Sequence, residues 1–236
     1  MRQLLFAFFV WTMSASCVQA AATDDLHRNE VGFFDIHVCH WPDRAQFFMA
    51  LFSTTRYDEV ADIRLYSPTG KEVGAFKLDR YRLVKTPGKP EKHVFITLFD
   101  ILPDREEGWY YARIKLKDGR VFEAKDKIEL RSLPIAQNLQ PVPGAEDVPL
   151  PRELKWDPVP GALFYQVFIK DVWADGQEIL SSSLLSEPRL VLPPGLIKRG
   201  GRYLWQVHSR NLNDDPVWGD FNHGSLTREV EFSVVE

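Results

Sequence analysis

Large apolar residues alternate with polar ones over short runs along most of this chain, with Pro and Gly between the runs. From Phe33 to Cys39, Phe34, Ile36 and Val38 share one face, and Asp35, His37 and Cys39 share the other. The stretch from Gln46 to Phe52 is apolar on both faces. Ile63 to Tyr66 ends at Ser67, Pro68, Thr69 and Gly70, where proline sets φ for a turn. His93 to Phe99 alternates again, and Trp109 to Leu116 runs through an Asp118-Gly119 hairpin turn into Val121 to Leu130. A period of two over short segments predicts strands, and several such strands in about a hundred residues predict an antiparallel sandwich. No segment past the N-terminus sustains a helical period.

Residues 133–144 break the pattern. Pro134, Pro141 and Pro143 predict a semi-rigid extended linker. Strand-like runs resume at about 152–156, 163–170, 176–182, 188–192, 202–210 and 226–235, with a further strand expected near 140–143. The predicted organisation is a first sandwich over 28–132, a linker over 133–144 and a second sandwich over 145–236.

The second half carries a more specific pattern. Trp156 precedes Pro158, Val159, Pro160 and Gly161, and Tyr165, Val167 and Ile169 follow on one face. Leu190, Val191, Leu192, Pro193, Pro194 and Gly195 lead to Tyr203, Trp205, Val207 and Ser209. These residues resemble the B–C and E–F strands of a fibronectin type III domain, an immunoglobulin-like sandwich. The resemblance implies that Tyr203 occupies the tyrosine corner before strand F. Lys198, Arg199, Gly200 and Gly201 stand where that family turns more tightly around Pro-Gly. The first half is immunoglobulin-like in pattern only. The expected fold class is therefore all-β: two tandem antiparallel sandwiches behind a cleaved leader. Such folds host unrelated functions, so function has to be argued from surfaces.

The leader occupies residues 1–20. Arg2 supplies the positive end, Leu4 to Met13 is uncharged and largely apolar, and Val18 and Ala20 fit cleavage after Ala20. The expected location is periplasmic or secreted. Cys17 follows Ser14, Ala15 and Ser16, a sequence that resembles a lipoprotein site without its usual leucine, so lipid anchoring is the alternative. Past the leader, Cys39 is the one remaining cysteine, which excludes an intramolecular disulfide. The full chain has 236 residues and net charge −4, and the charge becomes −5 once Arg2 is removed. A basic nucleic-acid footprint is absent from that balance.

Chemistry-bearing clusters are few. His37 and Cys39 share a strand face and could both reach one ion, but His40 faces away, and two ligands do not close a zinc site. A Cys39–His37 nucleophile lacks an orienting group and an oxyanion site. Acidic residues at Asp104, Glu106 and Glu107 and at Asp214, Asp215 and Asp220 lack calcium-loop spacing. No metal, cofactor or catalytic residue is expected. Two surfaces remain as binding sites. One is the loop Asn211–Gly224, with Trp218, Phe221 and His223. The other is an outward apolar patch of Phe164, Phe168 and Leu204, which the first domain, the linker or another chain would cover. The expected role is non-catalytic recognition of a protein or cell-envelope component. Carbohydrate binding through Trp109, Trp173 and Trp218 is the alternative.

Overall fold

A computed structural model describes residues 25–101, 106–212 and 222–236. The first sandwich contains β1 (Phe33–His40), β2 (Phe47–Thr54), β3 (Val60–Tyr66), β4 (Glu72–Ala75), β5 (Arg82–Val84), β6 (Lys92–Asp100), β7 (Gly108–Leu116) and β8 (Val121–Ile128). The second contains β9 (Ala145–Val148), β10 (Glu153–Lys155), β11 (Phe164–Asp171), β12 (Gln177–Ser181), β13 (Arg189–Val191), β14 (Arg202–Arg210), β15 (His223–Leu226) and β16 (Val230–Val234). The helical segments among the described residues are two 3-10 turns, Tyr57–Glu59 and Val172–Ala174. The protein is all-β, and its sheets are open. No helix among the described residues is long and apolar enough to cross a membrane.

In the first sandwich, β4-β3-β7-β8 packs over β1-β2-β6-β5. Phe34, Ile36 and Val38 point into its core with Phe48, Phe52, Ile63, Phe95 and Ile114, as the alternation predicts. A buried carboxylate ties the two layers. Asp126 on β8 accepts the Ile36 amide at 2.8 Å and lies 3.1 Å from Nε2 of His27. In the second sandwich, β10-β13 faces the sheet containing β12, β11 and β14. Trp156 meets Tyr165 edge-on at 5.4 Å and lies 6.3 Å from Trp205. The Tyr203 hydroxyl accepts the Lys198 amide at 3.0 Å, so the corner closes despite the Gly200-Gly201 sequence.

Three elements differ from the sequence reading. Leu133, Ala136 and Leu139, in the stretch expected as a linker, are buried in the second core. The strand expected at 140–143 forms instead at Ala145–Val148, because Pro141 and Pro143 have no N–H to give a ladder. The strand expected at 226–235 is confined to Val230–Val234, and a separate strand, His223–Leu226, begins inside the stretch expected as a loop. Between them Thr227 bonds Val207 twice: its amide donates to the Val207 carbonyl at 3.0 Å, and its hydroxyl accepts the Val207 amide at 2.9 Å.

The earlier of these two strands has a large consequence. It is β15, which pairs antiparallel with β14 and also parallel with β1. Val38, Cys39 and His40 stand opposite His223, Gly224 and Ser225. The two sandwiches therefore share one ten-stranded sheet, ordered β12-β11-β14-β15-β1-β2-β6-β5, with β16 and β9 alongside.

Candidate binding surface

Register across the shared sheet decides which side chains share a face. Arg210 stands opposite Gly224, and Gly224 opposite Cys39. The face of Asp35, His37 and Cys39 is thus continuous with that of Leu204, Gln206, His208 and Arg210 on β14 and of Phe164, Gln166 and Phe168 on β11. It continues through Phe47, Met49 and Leu51 on β2 to Ile96 and Leu98 on β6. The residues expected as an outward patch on one domain and one side of the apolar Gln46–Phe52 strand of the other lie on this same surface, with β15 and β1 between them.

A polar cluster sits at the seam. Asp35 and His37 are buried, with Nε2 of His37 at 2.5 Å from a carboxylate oxygen of Asp35. Arg210 donates from Nη2 to the Gln166 carbonyl oxygen at 2.6 Å and from Nε to Nδ1 of His208 at 3.4 Å. Burial, with Arg210 and His37 as neighbouring positive charge, pushes His208 down to about 3. Burial also lowers Arg210, opposed by the charge of Asp35. Cys39 is pushed up to about 12 by burial and by Asp35, so the thiol is held protonated. That is the reverse of what a nucleophile needs. No group of three metal-ligating side chains occurs among the described residues, and His40 turns away to place Nδ1 3.0 Å from the Leu133 carbonyl.

Beside this cluster lies a depression of about 270 Å³ lined by Trp41, Met49, Phe168, Glu178, Gln206, His208 and Leu226. Beyond it the face becomes apolar and open, with Ile96 51% and Leu98 45% exposed. Phe164, Phe168 and Leu204 are half-buried, and Phe168 lines the depression together with Trp41 and Met49 of the first sandwich. Trp218 and Phe221 lie outside the described residues. His223 is not at a loop tip: it is buried in β15, its Nε2 2.5 Å from the Glu129 carbonyl at the end of the first sandwich. Trp109, on the four-stranded sheet, is 44% exposed, and Trp173, on the 3-10 turn after β11, is 70% exposed.

Sequence reasoning missed Trp41, Ile96, Leu98, His208 and Arg210 as neighbours. The parity of β14 and β6 was readable, but the strand pairing that aligns them was not.

No family model matches the chain, and no curated protein matches it. Solved structures that resemble it do so weakly. A mixed-linkage-glucan surface protein, SGBP-B, from Bacteroides ovatus, solved with a heptasaccharide, is 12% identical with a TM-score of 0.24. The match covers 82% of this chain and 42% of that one. Murine CEACAM1b is 8% identical with a TM-score of 0.25, over 86% of this chain and all of that one. Latent PorU from Porphyromonas gingivalis is 12% identical with a TM-score of 0.27, over 86% of this chain and 20% of that one. Likeness at this level carries no argument about function.

Proposed function

We propose that this is an exported, non-catalytic recognition protein that binds a protein or cell-envelope component across the face of the shared sheet. The observation that supports this reading is the continuous surface from Phe168 and Trp41 through Met49 and Leu51 to Ile96 and Leu98. Exposed apolar side chains gathered on one rigid sheet mark an interaction face more often than scattered ones do. The buried, protonated Cys39 thiol offers no nucleophile beside it. On this reading residues 1–20 are the export leader, and the second sandwich is of fibronectin type III kind.

The test is capture from a cell-envelope extract by immobilised protein, compared with an Ile96→Asp/Phe168→Ala variant. A specific captured species should fall at least tenfold with the variant. Equal capture would overturn the assignment of this face. The exposure of Trp173 and Trp109 supports carbohydrate stacking as a second reading. A glycan array should then give hits that Trp173→Ala or Trp109→Ala removes, and an array without hits would end that reading.

A further inference from the structure

The depression on the outer face of the shared sheet takes its lining from both sandwiches. Trp41 and Met49 come from the first, and Phe168, Glu178, Gln206 and Leu226 from the second. Five of these six are half-buried; Glu178 stands exposed on β12, the outer strand of the sheet. Trp41 meets Phe47 edge-on at 4.9 Å, and the Phe47 ring is fully buried, so the indole is braced from behind. Met49 stands opposite Leu98, which ties the depression to the exposed apolar strip of β6. Gln206 stands opposite Phe168, and its side chain makes no hydrogen bond among the described residues. The volume is about 270 Å³. Small-molecule sites run from roughly 300 to 1,000 Å³, so this one suits a single long side chain better than a whole ligand.

Charge around the depression is matched with one exception. Lys170 pairs with Glu229, Arg202 with Glu231, and Arg228 with Asp43. Arg44 lies over the Phe47 ring at 3.6 Å and 3.9 Å from Asp100. Arg210 is directed to Gln166 and to the charge of Asp35. Nδ1 of His208 accepts from Nε of Arg210 and so brings no proton of its own. Glu178 stands opposite Lys170 across the β11–β12 pair, yet Lys170 is bound to Glu229, and Glu178 has no ion pair among the described residues.

We propose that the depression is a socket for one arginine side chain of a protein partner, with its stem laid against Met49 and Leu226, its guanidinium between Trp41 and Phe168, and its charge met by Glu178. The inference rests on the recognition face proposed above and names the partner's chemistry there. An acidic side chain would be repelled by Glu178, and a purely apolar one would cover that carboxylate without pairing it. A guanidinium satisfies both parts of the lining. It is planar, stacks on aromatic faces, and binds a carboxylate through two parallel hydrogen bonds. Its methylene stem covers apolar surface. An ammonium is a compact, strongly hydrated charge and gains less from the two rings. Arginine is also among the residues that most often fill such pockets at protein interfaces.

The test uses two isosteric probes, n-butylguanidinium and its neutral counterpart n-butylurea. Each is titrated into the isotopically labelled full chain and followed at the Trp41 indole N–H and the Phe168 and Gln206 amides by NMR. A fragment of this size should bind with a dissociation constant of about 1–10 mM. The guanidinium should bind about fivefold or more tightly than the urea. Glu178→Gln should weaken the guanidinium about two- to fivefold and leave the urea unchanged. Added salt should weaken the guanidinium alone. Equal affinities for the two probes, or no shift at Trp41 with the guanidinium at about 50 mM, roughly five times the weakest expected constant, would overturn the socket. Capture from the envelope extract separates this failure from failure of the face. If Glu178→Gln captures as well as the wild type while Ile96→Asp/Phe168→Ala does not, the arginine socket falls and the face stands.

Discussion

Thr227 stands between β15 and β16, and its hydroxyl has one measurable task. It accepts the Val207 amide at 2.9 Å in a site where Val207 is fully buried. Thr227→Val keeps the shape and removes the acceptor. An N–H left buried without a partner costs about 1–3 kcal/mol. The added methyl offsets part of this, at roughly 0.8 kcal/mol for a buried CH₂-sized group. The net loss should be about 0.2–2 kcal/mol. Thr227→Ser is the control: it keeps the hydroxyl, loses one methyl and should cost about 0.5–1 kcal/mol. Urea unfolding followed by tryptophan fluorescence and by circular dichroism gives both values. At about 2–4 °C per kcal/mol for a chain this size, the valine variant should melt up to about 8 °C lower. The comparison with the wild type is the decisive part. If the valine protein is as stable as the wild type or more so, the hydroxyl is not satisfying Val207, and the account of this bond is wrong.

Two further outcomes follow from local geometry. Cys39, held at about 12, should resist maleimide at pH 8 in a Cys17→Ser background and label readily in urea; equal rates in the two conditions would contradict the burial of the thiol. Gly201→Ala would place a Cβ 2.4 Å from the Tyr203 hydroxyl and 2.6 Å from its ring. It should destabilise the second sandwich by about 1–3 kcal/mol, read by urea melting, and a change below about 0.5 kcal/mol would show that the corner yields freely.

The sequence revealed strands and faces well, and neighbours poorly. Alternation from Phe33 to Cys39 identified the core side correctly, because pleating forces residues two apart onto one face. It did not show that Asp35 and His37 on the other side are buried. Polar residues on a strand usually mean solvent, and the strand's own period carries no sign of their burial. The apolar faces of β2 have the same origin: one faces the core, and the other faces Trp41 and the depression. Thr227, Arg228 and Glu229 are compatible with one long strand or with a break, and the sequence alone does not decide between them. The aromatic set Trp156, Tyr165, Tyr203 and Trp205 was legible as core because its spacing is local.

The pairing of β1 with β15 joins positions that stand almost the whole length of the chain apart. A contact of such sequence separation cannot form until both ends of the chain are present, and its closure entropy is tolerable only once the intervening segments are compact. The junction therefore forms last. A chain emerging from its N-terminus has to hold the Val38–His40 part of β1's other edge open until the final strands arrive. Any truncation before His223 leaves that edge exposed for good, and such fragments should self-associate through it.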